Sequence, residues 1–542
     1  MTPRGTDSGS SCSCGGMRVA LLRAAHLARI VVAVLAAAVA FACDRGDDTS
    51  VRRADPEPPI AAPAEGLGTI ERRGGAVRPG SVGSADAPDA RASGAPAGAN
   101  ARGRFRGQGG VLGLAAPTDR GSVGVAPGSI EHVGSRQSAL IDALQRRVDR
   151  DPEDGVAQGR LAVALLDASR EEESLVLAAR AELAARRSLD VQPEEVNAAA
   201  LDTLAHALMA RHAFADARRV AERLVARAPG AYAAHLTLAD ALSELGEYDL
   251  ADASIERAVS LADEPKMVIE VRQARSASLR GDLAGADEHS WRACEIARMQ
   301  GRTGADTLAW CESQRGGLAL ARGAYEDALR AYGRALDVVP TSCHAIEGVA
   351  AVAATRGELV EAIDLYARAI DLCGQPDAIV ALGDLYIATD RPEEAAAQYA
   401  RVARELGDPE VPDATRDRMR AQFYADAGQD PELAFRVALR DWRERPDIYA
   451  SDTLAWAALR SGRIDRARAA IGDALALGTK DARILYHAGV IAAAAGDWRE
   501  AIWCLDAALA SSPQFDPLRA PDARARLAAL LAAASTQPDV DE

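Results

Sequence analysis

The residue types that most readily perform chemistry in proteins do not form a recognisable catalytic pattern in this sequence. The zinc-protease motif HExxH, the phosphate-binding loop GxxxxGK[ST] and the nucleophile motif GxSxG are missing from the 542 residues. Among the eight histidines, His206 and His212 are the closest pair, but six positions along a helix place them on different faces. We therefore expect no catalytic site, no metal site and no cofactor, and predict that the chain is not an enzyme.

Composition and charge narrow the fold and the partner class. Hydrophobic residues make up 48% of the chain but aromatic residues only 4%, so most of the apolar side chains are Ala, Leu and Val. This favours helices that pack closely through small residues. The formal net charge is -16, and the only lysines are Lys266 and Lys480. Because phosphate binding needs a concentrated basic face, this charge argues against a nucleic-acid partner.

Residues 1–43 have the pattern of an export signal. Arg18, Arg23 and Arg29 precede an apolar run at 30–42, which is shorter than the roughly 20 residues needed to span a bilayer. Cys43 directly follows this run, and the segment resembles the lipobox of bacterial lipoproteins. We expect lipidation of Cys43; ordinary signal cleavage and an uncleaved anchor are the alternatives. Whether an anchor would lie in the inner or the outer membrane stays open.

Residues 44–134 are dominated by Gly, Ala, Pro, Ser, Arg and Asp, with Phe105 as the one aromatic residue. Such a segment cannot bury a core, so we predict a disordered tether. A flexible coil of this length reaches on the order of 50 Å, enough to hold a folded domain away from a membrane.

The elements that follow the tether repeat every 34 positions, most clearly between 309 and 374. The recurring pairs are Gly323 with Gly357, Ala328 with Ala362, Tyr332 with Tyr366, and Ala335 with Ala369. A glycine between two helices permits the positive φ of a tight turn, and an alanine where the helices cross permits close approach. Each repeat is therefore predicted to be a hairpin of two helices, closed in the first copy by Pro340.

This pattern resembles the tetratricopeptide repeat (TPR), whose consensus is Trp-x2-Leu-Gly-x2-Tyr, then Ala-x3-Phe and Pro. The unit that begins at 376 reproduces most of it in Leu382, Gly383, Tyr386, Ala395 and Tyr399. The resemblance implies an all-α superhelical solenoid of antiparallel helix pairs. We assign N-terminal helices with a degenerate repeat to 135–192, about nine repeats to 198–515, a capping helix to 516–534 and a disordered tail to 535–542.

Within this register, the tyrosines at 332, 366 and 399 are predicted to be core residues. Cys343 and Cys373 fall at the same end of one hairpin, and Cys294 and Cys311 fall near a junction between units. One disulfide among these four is possible in an oxidising compartment, while buried free cysteines are the alternative.

The family resemblance also implies a partner-binding concave groove that is lined by the first helix of each unit. Its positions map onto Asp202, His206, Asp240, Glu347, Asp384, Arg418, Gln422, Tyr449, Asp452, Trp456, Arg460 and Tyr486. We expect exposed anchors between Tyr449 and Tyr486, against the alternative of a solvated surface with Trp456 half-buried. The Lys and Asn pattern by which some TPR proteins hold a C-terminal carboxylate is missing.

Together these features predict a non-catalytic protein–protein interaction scaffold of the bacterial cell envelope, similar to exported TPR lipoproteins. The partner is an unidentified envelope protein or peptide, and the oligomeric state is left open. The alternative is an inner-membrane or cytoplasmic TPR regulator with an uncleaved N-terminus.

Overall fold

The computed structural model describes residues 131–171, 174–299, 304–428 and 430–536. Over these ranges it contains 22 α-helices and no β-strand, which confirms the predicted all-α solenoid. The expected signal region 1–43, including Cys43, and most of the tether and tail lie outside the described residues.

The helices follow one another with short connections. The first eleven are α1 Glu131–Arg150, α2 Gly155–Glu171, α3 Leu175–Val191, α4 Ala198–Ala210, α5 Phe214–Arg227, α6 Tyr232–Glu244, α7 Tyr248–Leu261, α8 Met267–Leu279, α9 Leu283–Met299, α10 Ala305–Ala321 and α11 Tyr325–Val338. The others are α12 Cys343–Arg356, α13 Leu359–Cys373, α14 Pro376–Ala388, α15 Pro392–Leu406, α16 Asp417–Ala427, α17 Pro431–Glu444, α18 Ile448–Arg460, α19 Ile464–Leu475, α20 Ala482–Ala494, α21 Trp498–Ser511 and α22 Arg519–Thr536.

From α4 to α21 the helices form nine pairs, and each pair packs most closely within itself and then against the next pair. Helix α1 begins at Glu131, so the last residues of the predicted tether are helical rather than disordered. The final helix α22 runs to Thr536, two residues past the predicted cap.

The turns inside the pairs have the conformation that the repeat requires. Gly323 and Gly357 have φ values of 69° and 79°, in the left-handed region that glycine adopts without a Cβ penalty. His212 and Asp390 occupy the same position in two other units and carry a positive φ without being glycine. The turn geometry is therefore kept even where the glycine is not.

Small residues set the distance between the helices of a pair. Ala328 and Ala362 are completely buried, and Tyr332 and Tyr366 are buried beside them as core residues. A Cβ added at Gly316 or Gly348 would overlap the ring of Tyr332. The ring of Tyr332 therefore packs between two helices that glycine allows to come close.

Units that are far apart in sequence also touch. The backbone N–H of Ile448 donates to the hydroxyl of Tyr248 at 3.0 Å, and Arg445 pairs with Glu244 at 3.2 Å. The turn at Gly246 approaches the carbonyl of Pro446 so closely that an added Cβ would lie 2.6 Å from its oxygen. The array thus curves enough for the unit at 232–265 to pack on those at 414–481.

Candidate interaction surface

The predicted groove residues all lie on first helices, but most of them are engaged with other parts of the chain. In the early units, the hydroxyl of Thr237 donates to Asp202 at 2.8 Å, and Nδ1 of His206 lies 2.9 Å from the carbonyl oxygen of Asp202. Asp240 receives two hydrogen bonds from the guanidinium of Arg272, at 2.7 and 2.5 Å. A bidentate pair of this kind holds both side chains in place.

Arg418 belongs to a buried ionic network rather than to an accessible surface. Its guanidinium lies 2.9 Å from Asp441 and 3.0 Å from Asp447. Burial acts to lower the pKa of Arg418, but the two carboxylates outweigh burial and raise it. Through Arg445, the network reaches Glu244 in the unit five repeats earlier. Arg418 therefore stabilises the contact between distant units and is not available to a partner.

The expectation that Trp456 is an exposed anchor is wrong. Its side chain is 8% exposed, and its ring stacks on that of His487 with centroids 4.2 Å apart. The indole N–H donates to Asp426 at 3.0 Å, and Nδ1 of His487 lies 2.8 Å from Asp452. Because successive first helices lie side by side, the side chain that was predicted to face solvent is covered by the next unit.

The expected exposure of Tyr486 is wrong for a related reason. Its side chain is 5% exposed, and its hydroxyl donates to Asp522 of α22 at 2.7 Å. Phe515, in the connection before α22, packs against its ring. The capping helix thus covers this end of the predicted groove, which the repeat pattern alone could not show.

Two carboxylates near this end bind an arginine from the capping helix. The guanidinium of Arg519 lies 2.7 Å from Asp426 and 3.9 Å from Asp384. The hydroxyl of Tyr399 donates to Asp384 at 2.7 Å. We refer to Asp384, Asp426, Tyr399 and Arg519 as the Asp426 site. Here a cation carried by a separate segment of the chain is held by carboxylates of the first helices.

Three of the remaining predicted groove residues have partial solvent access. Gln422 is half-buried and donates to the hydroxyl of Thr453 at 3.2 Å. Tyr449 is half-buried by relative surface area, and its pKa is raised by loss of solvation and by the charge of Asp481. Arg460 is exposed, with its guanidinium 6.0 Å from the Trp456 ring centroid.

Glu347 is the predicted groove carboxylate with no hydrogen bond or ion pair to any described residue. It is 4% exposed, and its Oε1 is buried without a partner. The hydroxyl of Tyr332, on the preceding unit, is also buried without a partner. Burial, followed by the charge of Asp377, raises the pKa of Glu347 to about 8. We refer to Glu347, Tyr332 and Asp377 as the Glu347 site.

The structure forms disulfides at both cysteine pairs named from the sequence. Cys294 and Cys311 have Cα atoms 5.7 Å apart, and those of Cys343 and Cys373 are 6.4 Å apart. Both distances lie in the ordinary range for a disulfide. Cys504 is a buried free thiol.

Sequence reasoning missed Asp426, Arg483, His487 and Arg519. Arg483 pairs with Asp426 at 3.0 Å, so it belongs to the same network as the predicted groove residues. Asp426 and Arg483 occupy inward-facing repeat positions, and reading every unit at those positions would have found them. Nothing in the repeat pattern indicates that Arg519 folds back onto them.

Within the described ranges, no group of three or more His, Cys, Asp or Glu side chains could hold a metal ion. No helix in that part of the chain combines the length and the apolar character needed to cross a membrane.

The fold and its inward-facing first helices define a helical-repeat protein. Residues 203–264, 314–375 and 453–514 match the tetratricopeptide repeat family model. These three segments therefore carry tetratricopeptide repeats. Proteins of this family are typically non-catalytic, and the repeats support a protein–protein interaction scaffold.

Solved structures with similar folds are distant in sequence. A tetratricopeptide repeat protein from Parabacteroides merdae is 18% identical over 49% of this chain and 98% of its own, with a TM-score of 0.29. Human IFIT1 in complex with PPP-AAAA is 16% identical over 70% of this chain and 87% of its own, with a TM-score of 0.38. Yeast Tom70 is 12% identical over 70% of this chain and 97% of its own, with a TM-score of 0.29. No curated protein matches the chain significantly.

Proposed function

We propose that this protein is an exported, lipid-anchored scaffold of the bacterial cell envelope that holds a partner protein or peptide against its first helices. The signal-like segment 1–43 with Cys43 supports export and lipidation. Two disulfides suit an oxidising compartment. The binding role rests above all on the Asp426 site, where the first helices already hold an arginine from a separate segment.

Site-specific photo-cross-linking in cells tests the binding role. A photoreactive amino acid at Gln422, on the first-helix side, is expected to give a discrete adduct with an envelope protein. The same amino acid at Arg330, on an exposed second-helix face, is the matched control and is expected to give none. Equal adducts at both positions, or none at Gln422, would count against a partner on the first helices.

Export is tested separately. Radiolabelled fatty acid is expected to enter the wild-type protein but not a Cys43→Ser variant. Equal labelling of both proteins would reject lipidation of Cys43. Recovery of intact N-terminal peptide from cells would favour the regulator with an uncleaved N-terminus.

A further inference from the structure

Three of the five predicted groove carboxylates are satisfied by the following unit of the array, and a fourth, Asp384, by Tyr399 of its own hairpin and by Arg519. Asp240 is paired with Arg272, 32 positions later, and Asp452 with His487, 35 positions later. Asp202 accepts from Thr237, again 35 positions later. The repeat thus places a donor or a cation about one unit after each of these acids, which removes the cost of burying an unpaired carboxylate.

Glu347 departs from this rule. The residues 30 to 35 positions after it are Asp377, Ala378, Ile379, Val380, Ala381 and Leu382. They contain a second carboxylate and no side-chain cation. Its own helix carries His344, whose pKa burial lowers to about 4 and which is therefore uncharged at neutral pH. Among the residues that the structure describes, no cationic side chain pairs with Glu347 or lowers its pKa.

A second feature of the Glu347 site also lacks a partner. The Tyr332 side chain is 1% exposed, and its hydroxyl is buried with no hydrogen bond. Leaving a buried polar group unpaired costs about 1 to 3 kcal/mol. The ring packs tightly between Gly316 and Gly348, which keeps the hydroxyl away from solvent. The carboxyl of Glu347 and the hydroxyl of Tyr332 therefore each keep a buried oxygen that could accept a hydrogen bond from a donor outside the site. The two groups are near enough for the charge of Glu347 to raise the pKa of Tyr332, after the larger effect of burial.

The Asp426 site shows what fills such a set of acceptors in this protein. It also combines two carboxylates with a tyrosine whose ring packs over a glycine, in this case Tyr399 over Gly383. Its occupant is the guanidinium of Arg519. A guanidinium presents five N–H donors in a plane and can satisfy several oxygens at once.

We propose that the Glu347 site binds a cationic side chain, arginine or lysine, of the partner segment. The partner would supply the hydrogen-bond donor that the following unit supplies to Asp202, Asp240 and Asp452. This inference rests on the proposed function, because it names the chemistry of the segment that the scaffold holds. Since burial keeps Glu347 protonated at neutral pH, binding of the cation would ionise the carboxyl and release one proton to the buffer.

Two matched peptide libraries test the proposal on the full-length protein. One is a soluble library of random decapeptides with arginine fixed at the centre, and the other has citrulline there, which has a similar shape but no charge. The wild-type protein is expected to retain the arginine library on the order of tenfold more than the citrulline library. A Glu347→Gln variant is expected to lose this preference.

Glu361→Gln is the control, because it makes the same glutamate-to-glutamine substitution at an exposed position on the second helix of the same unit. It should keep the wild-type preference. Unfolding curves verify that both variants are folded. Equal retention of the two libraries by the wild type, or an undiminished preference in folded Glu347→Gln, would overturn the proposal. Cross-links at Gln422 together with either result would leave the scaffold function standing and reject only the cation site.

Discussion

The Asp426 site and the Glu347 site use the same kinds of side chain, but only the first contains its own cation. At the Asp426 site the hydroxyl of Tyr399 donates to Asp384, and Arg519 neutralises the carboxylates. At the Glu347 site, Tyr332 and Glu347 each have a buried oxygen without a partner. Hairpins with the same fold thus carry either a completed ionic contact or a pair of buried polar groups without a partner.

The largest expected effect comes from removing Arg418, because the chain itself already pairs this cation with two buried carboxylates. Arg418→Met keeps much of the apolar stem but leaves Asp441 and Asp447 buried without their principal cation. We expect the free energy of unfolding to fall by about 3 to 5 kcal/mol, measured by urea denaturation. Arg443→Met, at an exposed position on the second helix of the same unit, is the control and should change it by less than about 0.5 kcal/mol.

Replacing Glu347 by glutamine should raise the free energy of unfolding rather than lower it, and the size of this effect should depend on pH. The pKa of Glu347 is about 8 in the folded chain against an ordinary value of 4.5. Because the folded state holds the proton more tightly, the wild type loses stability as pH rises from about 4.5 to 8. Glu347→Gln should therefore match the wild type at pH 4 and be more stable by about 2 to 4 kcal/mol at pH 9. A constant difference across this range would contradict the unpaired carboxyl.

Replacing Tyr399 or Tyr332 by phenylalanine removes one hydroxyl from each of the two sites, so the two variants can be compared directly. Tyr399→Phe removes a hydrogen bond to the carboxylate of Asp384 and should cost about 1.5 to 3 kcal/mol. Tyr332→Phe removes a hydroxyl that has no partner, so it should leave stability unchanged or raise it slightly. Thermal or urea unfolding of both variants measures the contrast, and equal losses would show that the hydroxyl of Tyr332 is satisfied after all.

The tight packing around Tyr332 can be tested with glycine substitutions. Gly348→Ala places a methyl group against the Tyr332 ring and should cost about 1 to 3 kcal/mol through overpacking. Gly333→Ala, in a helix with no atom near the added Cβ, should instead stabilise by up to about 1 kcal/mol. If both substitutions stabilise the protein, the ring is not held as the structure shows.

The sequence predicts the repeat well because each unit carries its own local signals. Gly323, Ala328 and Tyr332 mark the turn, the crossing point and the core by residue type and spacing alone. The solvent exposure of the groove side chains was harder to predict. Residues of the next unit cover Trp456, and residues of α22 cover Tyr486. These contacts depend on the curvature of the array, to which each unit contributes a small rotation that no single residue encodes.

The contact of Glu244 and Tyr248 with Arg445 and Ile448 has a consequence for how the number of repeats can change during evolution. In an open solenoid each unit meets only its neighbours, so a duplicated or deleted copy is tolerated. Here, inserting or losing one hairpin between the two partners would move Arg445 and Glu244 out of register and leave buried charges unmatched. The contact also joins residues about 200 positions apart, so folding cannot be completed by neighbour-to-neighbour growth alone.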